Sequence, residues 1–347
     1  MQSRRRIRDY GIKIGELKTG VRNAITDVQG VKVGHVTLLD EAKKTGVTAV
    51  LPHEGNIFKE KVFAASHVIN GFGKSTGLVQ IEELGTLETP IILTNTLSVG
   101  MAFDSLVDYM LETNEDIGDT TGTVNPVICE CNDGRINDIR GKHIKKEHIF
   151  KAILSADVDF EEGAVGAGTG MCCYGLKGGI GTSSRDIELD NGNFTVGVLA
   201  LTNFGEKKDL LVDGEPIGRE IICMDQALIN EEDRGSVIII IATDLPMTHR
   251  QLKRMCKRAV VGLSRTGSYI SNGSGDVVLG FTTKNRMNHY TNDPLMPLDM
   301  LHENYMDYVF RGVKEATEES VLNALVTSDA MVDRKGIQRE SLSQYMK

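Results

Sequence analysis

Short runs of β-branched residues alternate along this chain with stretches whose apolar residues recur at helical spacing. The first kind predicts strands from Val31 to Leu39, Val47 to Leu51, Ile91 to Thr94, Phe194 to Thr202 and Val237 to Thr243. The second predicts helices from Leu97 to Leu111 and from Val309 to Leu325, the latter interrupted at Thr317-Glu318-Glu319-Ser320. The clearest helix begins at Thr248. Thr248 and Gln251 form a capping box, Leu252, Met255, Cys256, Ala259, Val260 and Leu263 share one face, and Gly267 supplies a stop. Its other positions carry Arg250, Lys253, Arg254, Lys257 and Arg258, which read as a solvated face before they read as an anion site. No internal repeat and no low-complexity tract interrupts the pattern.

The longest apolar run, Val237 to Ala242, is far too short to span a bilayer, and the charged opening MQSRRRIRDY is followed by no apolar stretch of a signal peptide. The chain has 347 residues, 40% hydrophobic, with a net charge of −9, so it can bury a sizeable core and lacks the basic footprint that nucleic acid demands. The six cysteines form no Cys-x-x-Cys, and the histidines are scattered, so no zinc spacing is present. A reduced, cytoplasmic enzyme or binding protein without metal or organic cofactor is the expectation.

Two stretches ask for chemistry. From Gly163 to Arg185 the chain is dense in glycine, yet it lacks both the Gly-Lys-Ser/Thr ending of a P-loop and the dinucleotide spacing. Glycine there suits close backbone approach and a pocket lined by unhindered N–H groups. The second stretch, EEDRGSVIIIIATD, sets Gly235-Ser236 at the doorstep of the aliphatic strand. A turn and a polar strand start explain it plainly. Cleavage before Ser236 is the sharper alternative, though Gly-Ser before a hydrophobic strand is common. It would give one residue both a hydroxyl nucleophile and a free α-amine with a pKa of about 8, able to take the hydroxyl proton as histidine does elsewhere. Gly235, with no Cβ, leaves its carbonyl open to attack.

Several motifs in order then resemble the L-aminopeptidase/D-esterase family, which includes the β-peptidyl aminopeptidases. They are Asn23-Ala24-Ile25-Thr26-Asp27-Val28 with Gly30 to His35, Glu130-Cys131-Asn132-Asp133-Gly134, the stretch Gly163 to Arg185, Asn203-Phe204-Gly205, Arg234-Gly235-Ser236 and Asn272-Gly273-Ser274-Gly275-Asp276. The resemblance implies one self-processing α/β (α+β) hydrolase domain over 1–347. Its fold would be an αββα four-layer sandwich, similar to N-terminal nucleophile hydrolases but with different strand connectivity. Cleavage would give 1–235 and 236–347.

By position, the resemblance implies that Ser236 is the nucleophile, that Ser274 and Asp276 orient or relay its proton, and that Asn203 stabilises the oxyanion. It also implies that Glu130 pairs with the substrate's terminal ammonium. Asn132 stands where some members carry a tyrosine that contributes to the oxyanion site, which leaves the substrate pocket open. Taken singly, Asn203 reads more readily as a turn residue, Ser274 as part of a glycine-rich hairpin and Glu130 as an exposed strand position.

The resulting expectation is a serine aminopeptidase acting on short peptides, amides or esters through an acyl-enzyme on Ser236. A homo-oligomer, a tetramer of processed protomers, is implied with it. An acyl transferase of the ornithine acetyltransferase type is the second enzyme reading, against which the serine counts. A non-catalytic small-molecule binding protein on the same fold is the third.

Overall fold

The computed structural model describes residues 4–225 and 235–346. In chain order the first half contains β1 (Lys32–Leu39), β2 (Lys44–Leu51), β3 (Glu60–Gly71), α1 (Leu78–Leu84), β4 (Thr86–Leu87), β5 (Ile91–Asn95), α2 (Val99–Thr113), β6 (Val127–Cys131) and α3 (Lys146–Leu154). The second half contains β7 (Cys172–Cys173), β8 (Leu176–Lys177), β9 (Ile180–Leu189), β10 (Gly192–Asn203), α4 (Ile217–Asp225), β11 (Ser236–Thr243), α5 (His249–Cys256), α6 (Ala259–Arg265), β12 (Gly275–Asn288) and α7 (Met306–Thr327).

Two sheets stack face to face. One has the order β1-β2-β5-β6 and the other β4-β3-β12-β11-β10-β9. Helices α2 and α3 cover the outer face of the first, and α5, α6 and α7 cover the outer face of the second. The result is the expected αββα sandwich.

The sequence of β11 shows why it sits at the centre. Ile238, Ile240 and Ala242 belong to the core between the sheets, whereas Val237, Ile239 and Ile241 belong to the core under the helices. Side chains alternate across a strand, so a strand buried on both faces must be apolar at every position. The run after Ser236 is that strand. Its neighbours hold it in register, β10 antiparallel and β12 parallel.

The structure corrects three expectations. Helix α7 runs unbroken through Thr317-Glu318-Glu319-Ser320, all of them buried. Polarity there marks inward partners: Glu319 receives Arg8, Arg185 and Asn23. The helix predicted from Thr248 is divided into α5 and α6 at Lys257-Arg258. Its capping box is present, with Gln251 Oε1 accepting from Thr248 N at 3.2 Å. Several of its basic residues are paired, Arg250 and Arg254 with Glu303 and Lys253 with Glu82. Finally, β3, β9 and β12 are strands the sequence pattern did not predict: glycines, serines and threonines mask the apolar alternation in β9 and β12, and Ala64-Ala65-Ser66 does so in β3. No helix among the described residues is long and apolar enough to cross a membrane.

Candidate active site

Ser236 is the first residue of β11, and its ladder neighbours define its surroundings. Asn203, the last residue of β10, lies directly opposite on one side, and Gly275, the first of β12, on the other. By alternation Ser236 shares the inter-sheet face with Ile238, and Asn203 shares it with Leu201. Directly paired residues project to the same side, so the serine hydroxyl and the asparagine amide stand together. Ser236 Oγ is buried and has no nitrogen or oxygen hydrogen-bond partner among the described residues; its neighbour is the Cys131 thiol.

Asn203 is held at both ends of its amide. Its Oδ1 accepts from the Cys172 N–H at 3.1 Å, and its Nδ2 donates to the Asn132 carbonyl at 3.0 Å. An asparagine amide has two donor hydrogens, so one is left to serve the serine's side.

Beside Ser236, Gly275 packs closely: a Cβ on it would stand 2.7 Å from the Phe72 carbonyl oxygen. The Gly275 α-carbon is 3.5 Å from where a Cβ on Gly73 would stand, and Glu130 Oε1 is 3.6 Å from that same point. Thus Glu130, on β6 of the other sheet, comes close to Gly275, the ladder neighbour of Ser236. It is only 3% exposed, with Oε1 accepting from Lys74 N at 2.8 Å and Oε2 from the Thr96 hydroxyl. Its neighbour Cys131 faces the second sheet, with Sγ 3.8 Å from the Leu201 carbonyl. Burial pushes the Cys131 thiol well above the ordinary range, opposed by its side-chain interaction with the Ser236 hydroxyl. It is an inert wall of the site.

Ser274 and Asp276 flank Gly275. Ser274 Oγ donates to Asp276 Oδ1 at 2.6 Å, and both residues are buried. By alternation Asp276 goes with Val278, on the face under the helices. The pair therefore runs alongside the Ser236 main chain, on the opposite face from Oγ.

The bond before Ser236 has its own geometry. The Gly235 carbonyl accepts from Gly275 N at 3.2 Å. A Cβ on Gly235 would stand 2.1 Å from the Asn203 carbonyl oxygen, so no other residue fits without displacing backbone. Arg234 of the same motif lies outside the described residues.

The structure thus gathers Gly235, Ser236, Asn203, Glu130, Ser274 and Asp276. Asn132 differs: its side chain is exposed, its Oδ1 accepts from Gly134 N at 2.9 Å, and its carbonyl holds Asn203. Sequence reasoning missed the Cys172 N–H, the Lys74 N–H and the Thr96 hydroxyl. Two of these are main-chain groups that any residue offers, and a lone threonine after a strand carries no signal. It also left the glycine-dense segment undecided. The segment is mostly buried and packs against main chain; a Cβ on Gly178, for instance, would stand 2.4 Å from the Thr202 carbonyl.

Residues 23–339 match the model of peptidase family S58. The chain belongs to that family. It is a serine-type hydrolase of the N-terminal nucleophile class, with aminopeptidase/esterase function. The non-catalytic alternative ends here. A β-peptidyl aminopeptidase of Sphingosinicella microcystinivorans is 39% identical over 95% of this chain and 88% of its own. Among solved structures, the PH0078 protein of Pyrococcus horikoshii OT3 superposes with a TM-score of 0.93 at 51% identity, covering 98% of this chain and 97% of that one. The L-aminopeptidase D-Ala-esterase/amidase of Ochrobactrum anthropi, described as a new variant of the Ntn hydrolase fold, gives 0.88 at 33% identity and covers 98% of each chain.

Proposed function

We propose that this S58 peptidase splits its own Gly235–Ser236 bond and then releases N-terminal residues from short peptides, amino-acid amides or esters. The observation that carries this reading is the Gly235–Ser236 junction. A buried hydroxyl with no nitrogen or oxygen partner among the described residues follows a carbonyl that the Gly275 N–H polarises, at a position only glycine can occupy.

In the first stage Ser236 Oγ attacks the Gly235 carbonyl carbon, the C–N bond breaks, and the Ser236 nitrogen takes the hydroxyl proton. Water then hydrolyses the ester, leaving the Gly235 carboxylate on 1–235 and a free α-amine on 236–347. In each later turnover that α-amine takes the Oγ proton while Oγ attacks the substrate carbonyl, and it returns the proton to the departing amine or alcohol. Water hydrolyses the acyl-enzyme.

The Ser274–Asp276 hydrogen bond, running beside the Ser236 main chain, suits a relay to the α-amine rather than to Oγ. Asn203 donates its remaining amide hydrogen to the oxyanion, an interaction typically worth about 3 kcal/mol. Glu130 receives the substrate's ammonium, and Asn132 offers its Nδ2 hydrogens at the exposed rim. We place the enzyme in the cytoplasm on its composition. We propose a homo-oligomer, a tetramer of processed protomers, which the exposed Leu295, Met296, Leu298 and Met300 support as a surface to cover.

The test is an intact mass spectrum of the denatured protein beside Ser236→Ala, with aminoacyl p-nitroanilide turnover measured on both. Two fragments meeting at Gly235/Ser236, absent from the variant together with all turnover, are expected. Parental turnover by Ser236→Ala would refute the nucleophile. An added amine acceptor in the same assay separates the products: an acyl transferase would form the new amide in place of the free acid.

A further inference from the structure

We infer that Lys177 is a positioning residue for this site: it clamps the loop whose Cys172 N–H fixes the Asn203 amide. The inference rests on the oxyanion role proposed for Asn203.

Lys177, on β8, is 0% exposed. Its ammonium donates to the carbonyls of Gly168 at 3.1 Å, Met171 at 2.9 Å and Gly178 at 2.5 Å. Those three bonds use every hydrogen it has. Burial pulls its pKa down to about 8, opposed by the charges of Cys172, Cys173 and Asp329. A buried ammonium is unfavourable, and an apolar side chain of the same length would fill the space more cheaply. What methionine cannot do is draw three carbonyls from both sides of one turn to a single point.

That turn leads directly into the site. Met171 precedes Cys172, whose N–H is the donor to Asn203 Oδ1. Gly178 N closes the same turn by donating to Met171 O at 2.9 Å. With Cys172 N in place, the Asn203 oxygen is occupied and its Nδ2 must face Asn132 and the serine. With Cys172 N displaced, the amide is free to rotate and to turn a lone pair where a donor is needed. Lys177 thus touches neither substrate nor nucleophile and acts through one main-chain N–H.

A double-mutant cycle tests this. Lys177→Met, Asn203→Ala and the double variant are compared by kcat and KM on an aminoacyl p-nitroanilide, normalised to chains bearing a free Ser236. The rate of self-splitting serves as a second readout for chains that mature slowly. Lys177→Met should lower kcat by about 10- to 100-fold with KM within about twofold, the loss a small misplacement of a catalytic group brings. In the Asn203→Ala background the same substitution should cost nothing further, because coupled residues are not additive. Lys177→Gln, which keeps two donors, should fall between and show the same dependence on Asn203, so the inference stays testable if the methionine variant fails to fold. Parental kcat in Lys177→Met, or an equal loss in both backgrounds, overturns the inference. Parental kcat in Asn203→Ala alone overturns the oxyanion role and the inference with it, whereas a large loss there with additive effects overturns only the Lys177 step.

Discussion

Two buried polar clusters lie on opposite faces of the six-stranded sheet, and they are built on opposite principles. Under the helices, Arg185 from β9 is fully buried and fully used. It bonds Glu319 at 2.7 Å, Glu315 at 3.2 Å, Ser183 Oγ at 2.8 Å and the Ile14 carbonyl at 2.7 Å. Burial pushes the Glu319 carboxyl up, but Arg8 and Arg185 outweigh it and hold the group below its usual range. At the candidate site, Ser236 Oγ has no nitrogen or oxygen partner among the described residues, and Glu130 receives two neutral donors without an ion pair among them. A completed network has no valence left for a ligand, whereas an incomplete one leaves buried groups whose desolvation a substrate can offset. The first cluster therefore reads as structure and the second as function, although both are made of the same residue types.

The largest expected effect breaks the structural side. Arg185→Met leaves buried Glu315 without its cation and Glu319 with Arg8 alone of its two, and should lower unfolding stability by about 3–5 kcal/mol. The clean measurement is the urea midpoint in the Ser236→Ala background, where the chain is uncut. In the otherwise unaltered enzyme, turnover per folded protein should stay within about twofold. A large loss of turnover in properly folded Arg185→Met would erase the distinction between the clusters.

One side of this contrast was partly legible in the sequence, for a physical reason. β11 could be read because a strand buried on both faces leaves a continuous aliphatic run, and Gly235-Ser236 stood out against it. The αββα layering and the roles of Ser274, Asp276 and Glu130 rested on ordered motifs, since one Ser-x-Asp carries little by itself. The Arg185 cluster was invisible. Thr317-Glu318-Glu319-Ser320 looked like a break in α7, because hydropathy cannot tell a solvated glutamate from one facing a buried guanidinium. The parts that set Asn203 were equally hidden, since they are main-chain groups of residues 132 and 172, placed by the fold and not by side-chain type.

A smaller effect sharpens the functional side. If Glu130 waits for an ammonium, Glu130→Gln removes the charge that distinguishes a free amino terminus. Hydrolysis of an aminoacyl ester should fall by about 100-fold in kcat/KM, in keeping with a buried charge pair losing one partner. The ester of the corresponding N-acetylated amino acid should be unaffected. Equal losses on both esters would make Glu130 a structural residue like Glu315, fixed by Lys74 and Thr96 for its own sake.

Asp133 offers the finest test, because it combines features of both clusters. It is buried two residues after Cys131, accepting from Thr45 Oγ1 at 2.5 Å and from Asn137 Nδ2 at 3.1 Å. Its partners are complete, as in the Arg185 cluster, but all are neutral, as around Glu130. Burial accordingly pushes its pKa up to about 6, with the hydrogen bonds from Thr45 and Asn137 opposing. The folded protein thus holds this proton more tightly than the unfolded chain does. Its contribution to stability is whole below about pH 4 and is lost as the pH rises through 6. The loss is on the order of 2–3 kcal/mol. Asp133→Asn, neutral at every pH, should flatten that part of the stability profile and leave the uncut chain more stable than its parent at pH 8. If the variant is instead destabilised equally at pH 5 and pH 8, the carboxylate is needed in its charged form. The rule that separates the two clusters would then fail at the residue where it is most exposed to error.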